Sequence, residues 1–122
     1  MVKTIIVLGT KYKVYLDVPI DKDDGLRERF GYCHPIGRKI VVADMDSIES
    51  WKDESDECKQ LQIDATLRHE IIHAFLAESG LWGSSGGTDC WAMNEEMIDW
   101  FAMQFPKILE VFEQLGCEGG SR

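Results

Sequence analysis

Two histidines and a glutamate in Leu67-Arg68-His69-Glu70-Ile71-Ile72-His73-Ala74-Phe75-Leu76 have the spacing that metal chemistry needs. An α-helix turns about 100° per residue, so residues four apart return to one face a turn further along. On such a helix His69 and His73 can each offer a ring nitrogen to one Zn²⁺ at about 2.0–2.1 Å. Glu70 is rotated away from direct ligation, to where a carboxylate can take a proton from a water beside the metal. This is the arrangement of a zinc hydrolase with Glu70 as its catalytic base.

A catalytic zinc usually has three protein ligands and an open position. The third is sought in Trp91-Ala92-Met93-Asn94-Glu95-Glu96-Met97-Ile98-Asp99-Trp100-Phe101-Ala102. As a helix this stretch groups Trp91, Glu95, Ile98, Asp99, Ala102 and Phe105 on one side. A glutamate on an otherwise apolar face is costly unless it is paired, and a metal would pair it. Glu95 is therefore the preferred ligand, with Glu96, about 100° away, as the alternate. Asp99, one turn on, can accept the second ring N–H of a ligating histidine and fix its tautomer. Imidazole and carboxylate donors also accept iron or manganese.

His69-Glu70-x-x-His73 followed by Asn94-Glu95-x-x-x-Asp99 resembles the gluzincin metallopeptidases of the thermolysin type. Asp99-Trp100-Phe101-Ala102 after Glu95 is also similar to the short ImmA/IrrE-type metallopeptidases of prophages and mobile elements. Met97-Ile98-Asp99 stands where those proteins commonly have Glu-Ala-Asn. The resemblance spans about residues 61–106. It implies an α+β, minimal zincin-like domain: a small, mostly antiparallel N-terminal sheet, then a helix with His-Glu-x-x-His, then a helix with the glutamate ligand. It also implies peptide-bond hydrolysis of a peptide or protein substrate, and an edge strand near the metal that pairs with an extended peptide. Ile40 to Ala43 is the candidate for that edge, with an interior strand as the alternative.

The elements that must position these residues can be read in order. Residues 1–44 are strand-rich, with a hairpin over 2–18 around Gly9-Thr10-Lys11, a short partner strand within Gly31 to Gly37, and a strand over Arg38 to Asp44. Leu26 to Phe30 reads as a helical turn. A helix is predicted over about 55–79, capped by Ser50 or Ser55 and ended by Gly80, burying Leu61, Ala65, Ile72, Phe75 and Leu76. Gly83 to Asp89 is linker composition. The second helix runs from Trp91 to Phe105, and Pro106 kinks it or starts another, with Ile108, Leu109, Val111, Phe112 and Leu115 closing the domain. The 122 residues make one domain.

The net charge of −9 argues against a nucleic-acid partner, which calls for clustered Lys and Arg. No apolar run reaches the ~20 residues of a membrane helix, and the N-terminal stretch reads as a strand rather than a leader. Cys33, Cys58, Cys90 and Cys117 form no Cys-x-x-Cys and read as reduced thiols of a cytoplasmic protein; Cys33 or Cys90 as a ligand is the lesser alternative to a buried thiol. The candidates to stabilise the transition state are His34, Tyr12, Tyr15 and Tyr32. The oligomeric state is not legible. The alternative function is a non-catalytic metal-binding module that regulates phage or mobile-element functions, against which Glu70 counts, because a purely structural site needs no base.

Overall fold

A computed structural model describes residues 1–80 and 94–115, without the side chains of Val111, Phe112 and Gln114. The chain is α+β, and the described residues form four strands in one mixed sheet and two long helices. Strands β1 (Val2–Val7) and β2 (Thr10–Val18) form an antiparallel hairpin in which Val2 faces Tyr15 and Val7 faces Thr10. The turn is Leu8-Gly9 rather than Gly9-Thr10-Lys11, with φ of 47° and 88°. Two left-handed residues match the right-handed twist of the flanking strands.

After β2 come two single 3-10 turns, Ile20–Lys22 and Asp24–Leu26. The second is held by the Asp23 side chain, which accepts from the Gly25 N–H. The chain then runs through β3 (Gly31–His34) and β4 (Lys39–Ala43), an antiparallel pair, with β4 parallel to β2. The spatial order is β1-β2-β4-β3.

The alternation in β4 explains its place. Ile40 and Val42 join Val7, Tyr12 and Val14 on one face, whereas Val41 and Ala43 join Leu26 on the other. All four are buried. An unbroken apolar run suits a strand covered on both faces, and β4 is paired on both sides, with β2 and with β3, so Ile40 to Ala43 is an interior strand and the expectation of an edge there is overturned. Among the described residues the edge on that side is β3.

Helix α1 (Asp56–Glu78) covers the first face of the sheet. Ser55 caps it, its side chain accepting from the Cys58 N–H at 3.1 Å, and Gly80, with φ of 87°, follows its C-terminus. Ile63, Leu67, Ile71 and Ala74 pack on the sheet. Leu61 and Phe75, expected inside, are 63% and 42% exposed. Apolar residues lie on several sides of this helix, so composition did not select the packed side. The fully buried Tyr12 fastens the far end, its hydroxyl donating to Glu78 Oε2 at 2.8 Å.

Helix α2 (Glu95–Leu115) packs against α1 and runs through Pro106 without a break. The expected separate closing helix is therefore the second half of α2, where Ile108 and Leu109 are half-buried and Leu115 is exposed. Trp91, Cys90 and Gly83 to Asp89 lie outside the described residues. Asn94 caps α2, its side chain accepting from the Met97 N–H and its carbonyl from the Ile98 N–H. Ile98 and Ala102, one turn apart, are its buried stripe; Phe105, expected with them, is exposed. Among the described residues no helix is long and apolar enough to cross a membrane.

Where β3 meets α1 there is no room for a side chain. A Cβ on Gly31 would stand 2.7 Å from Thr66 Cγ2 and 2.8 Å from the Val41 carbonyl oxygen. The second neighbour is backbone and cannot rotate away. Gly31→Ala is expected to lower stability by about 1–3 kcal/mol, measured by urea unfolding, and an unchanged midpoint would show that β3 lies further from α1.

Candidate metal centre

His69, Glu70 and His73 lie at the middle of α1, where β3, α1 and α2 meet around a cleft of about 800 Å³. Their spacing turns Glu70 inward beside Thr66 and Ala74, the three buried residues of the helix at i, i+4, i+8. The two imidazoles lie to one side, only 16% and 18% exposed.

The imidazoles converge on Glu95, the first residue of α2. His73 Nε2 is 2.8 Å from Glu95 Oε1, His69 Nε2 is 3.3 Å from Glu95 Oε2, and the two Nε2 atoms are 3.1 Å apart. Donors about 2.0–2.2 Å from a four-coordinate ion stand roughly 3.3 Å from one another. The three groups are therefore spaced like the ligands of one tetrahedral ion. His69 Nδ1 is 2.5 Å from Asp99 Oδ1. The Nδ1 N–H can donate to that carboxylate, the tautomer that leaves the Nε2 lone pair for a metal.

Glu70 also lies close to the histidines, and the donor atoms of His69, Glu70 and His73 all fall within 4.8 Å of one another, a grouping that could itself hold a metal ion. The distances separate the two carboxylates. Glu95 touches both Nε2 atoms, whereas Glu70 Oε2 is 4.0 Å from His69 Nε2. Glu95 suits ligation, and Glu70 suits a position one layer out. Glu96 faces away, beside Trp100 and Phe101 on the outer side of α2.

Glu95 is not the buried carboxylate that an apolar helix face predicts. The Glu95 side chain is 64% exposed, and that of Asp99 62%. Desolvation is not what ties Glu95 to the histidines; the imidazole contacts are. The buried carboxylate is Glu70. Burial pushes its carboxyl up to about 7, opposed by His69, aided by Glu95, and opposed again by Arg29. A carboxyl held there is matched to proton transfer near neutral pH. Burial also holds the His73 imidazole below its ordinary value, with Glu95 pulling the other way, which favours the neutral ring that binds metals.

The residues singled out to stabilise a transition state are not free to act at the metal site. His34 lies outside the cleft, its Nδ1 accepting from the Gly37 N–H at 2.7 Å. The Tyr12 hydroxyl is bound to Glu78, and Tyr15 packs under the other face of the sheet. Tyr32 borders the cleft, but its hydroxyl donates to Asp23 Oδ2 at 2.7 Å. Cys33 packs against the core, and burial pushes its thiol up to about 12.

Two arginines that the sequence did not bring out stand nearby. Arg29, over the Tyr32 ring at 5.7 Å, supplies the one Lys or Arg side chain among the described residues lining the cleft. Arg68 reaches across to α2. Neither belongs to a motif, because each owes its place to the pairing of distant elements. Comparison with family models, curated proteins and solved structures gave no match.

The burial of Glu70 has a thermodynamic signature. Below pH 4.5 it is protonated in both folded and unfolded chains; between 4.5 and about 7 only the folded chain keeps the proton. Stability of the metal-free protein should therefore fall as pH rises through that window and level off above it. Glu70→Gln cannot ionise, and at pH 8 is expected to exceed the wild type by on the order of 2–3 kcal/mol, with the two nearly equal at pH 4.5. Urea unfolding at both pH values reads the difference, and equal stabilities at pH 8 would place Glu70 in water.

Proposed function

We propose that the protein is a zinc-dependent metallopeptidase of a minimal, zincin-like kind. The observation that carries this reading is the convergence of His69 Nε2, His73 Nε2 and the Glu95 carboxylate at 2.8–3.3 Å, with the buried Glu70 carboxylate beside them. Two imidazoles and one carboxylate suit zinc at a catalytic site. When bound, zinc would polarise the substrate carbonyl and lower the pKa of the attacking water.

The rest of the chemistry belongs to the chain's own residues. Glu70 takes a proton from the water as its oxygen bonds to the carbonyl carbon, then delivers it to the amide nitrogen as the C–N bond breaks. Burial of Glu70 strengthens it as a base, and His69 first, then Arg29, oppose that rise. Asp99 holds His69 in the tautomer that leaves Nε2 free. The edge of β3 away from β4, unpaired among the described residues, borders the cleft at Gly31, Tyr32 and Cys33. An extended peptide added there as a strand would lie across the metal site. A cleft with an unpaired strand edge suits a peptide substrate better than a small, enclosed one.

Elemental mass spectrometry of the purified protein tests the ligand set. About one zinc per chain is expected in the wild type and in Glu96→Ala, with loss in His69→Ala and Glu95→Ala. Zinc loss in Glu96→Ala but not in Glu95→Ala would reverse the assignment on α2, and iron or manganese in place of zinc would change the metal. Glu70→Ala is expected to keep its zinc and lose at least about 10²-fold in cleavage of a peptide library; zinc-dependent cleavage that survives this change would remove Glu70 from the role of base.

A further inference from the structure

Pro106 lies inside α2, and proline has no backbone N–H. In a regular α-helix that N–H would bond the carbonyl four residues back, which here belongs to Ala102. Ala102 is 2% exposed, so water has little access to the freed oxygen. A buried carbonyl without a donor is costly. The Arg68 side chain supplies one from the other helix, donating from Nε to the Ala102 oxygen at 2.7 Å.

This bond joins the two helices beside the metal centre. Arg68 immediately precedes His69, and Ala102 lies less than one turn beyond Asp99. A slip of α2 along α1 by one residue, about 1.5 Å, would break the bond and also draw Glu95 away from both Nε2 atoms. The carbonyl freed by proline is one point on α2, and the Nε of an arginine on a rigid helix reaches a small volume.

We infer that Arg68 is a positioning residue: its bond to the carbonyl freed by Pro106 locks the register of α2 on α1 and holds Glu95 and Asp99 against His69 and His73. Arg68 touches neither metal nor substrate in this role. The inference rests on the metal-site reading above only for its zinc readout. The bond itself is a feature of the helix pair.

Glutamine and methionine are the informative replacements. Gln Nε2 stands at the same distance along the side chain as Arg Nε and can donate, whereas Met has similar length and no donor. Zinc affinity, measured by competition with a chromogenic chelator, is expected to stay within about threefold of wild type in Arg68→Gln and to weaken about tenfold in Arg68→Met. Pro106→Ala restores the intrahelical donor. In that background Arg68→Met should cost less than about threefold. Equal losses in the Gln and Met variants, or a Met cost that Pro106→Ala leaves unchanged, would overturn the inference.

Should Arg68→Met alone fail to fold, folding of the same substitution with Pro106→Ala supports the lock, and failure of both overturns it. Should the wild type take up no metal, the function proposed above falls, and urea midpoints of the metal-free proteins decide the lock by the same pattern. A Met cost that shrinks when Pro106→Ala is added supports it, and an undiminished cost refutes it.

Discussion

An imidazole on one helix and a carboxylate on another meet only if the two helices keep one register. Nearly everything around the candidate site depends on that constraint. The sheet supports α1 along Ile63, Leu67, Ile71 and Ala74, and α2 lies on α1 through the buried stripe of Ile98 and Ala102. Apolar packing has little directional preference and tolerates small slips. The polar contacts beside it are specific: Arg68 to the Ala102 carbonyl, Asp99 to His69, and Glu95 to both histidines. Packing holds the helices together, and these few polar atoms determine where along each other they stop.

The two carboxylates nearest the histidines are placed in opposite environments. Glu95 stands at the rim, open to solvent, and Glu70 is buried beside Thr66 and Ala74. An exposed carboxylate stays ionised cheaply and is ready to meet a cation. A buried one is a stronger base, because burial disfavours its charge. One fold thus gives the same chemical group two environments by depth alone, which the proposed roles of ligand and base would use. Gly31 contributes from the other side, since only a residue without a Cβ allows β3 to lie so near Thr66, one turn before Glu70.

Local patterns were readable from the sequence where the deciding physics is local. The helix predicted over about 55–79 is Asp56–Glu78, because Ser55 and Gly80 stop it by backbone chemistry that needs no tertiary partner. The pairing of His69 with His73, and of Asp99 one turn after Glu95, follows from helical pitch. Reading failed where the outcome depends on which elements pair. Leu61 and Phe75 look as apolar as Leu67 and Ile71, and only the sheet's position decides between them. Ile40 to Ala43 is interior because it pairs with β2 on one side and β3 on the other, a choice among distant strands. Glu95 was reached by an argument from burial that the structure does not bear out, although the same residue meets the histidines. Arg68 was invisible, because its partner is a carbonyl freed by a proline on another helix.

Glu95 is the first residue of its helix. Terminal turns open far more often than helix centres, and of the three groups gathered here Glu95 alone sits on one, His69 and His73 lying within α1. Asn94 restrains that turn through its side chain on the Met97 N–H, and the helix dipole favours a carboxylate there. An ion held by His69, His73 and Glu95 would leave at a rate governed by the opening of this single capped turn rather than by unfolding of the sheet. The asparagine cap, on a different helix from the histidines, would then bear on how long the ion stays as well as on how tightly it is held.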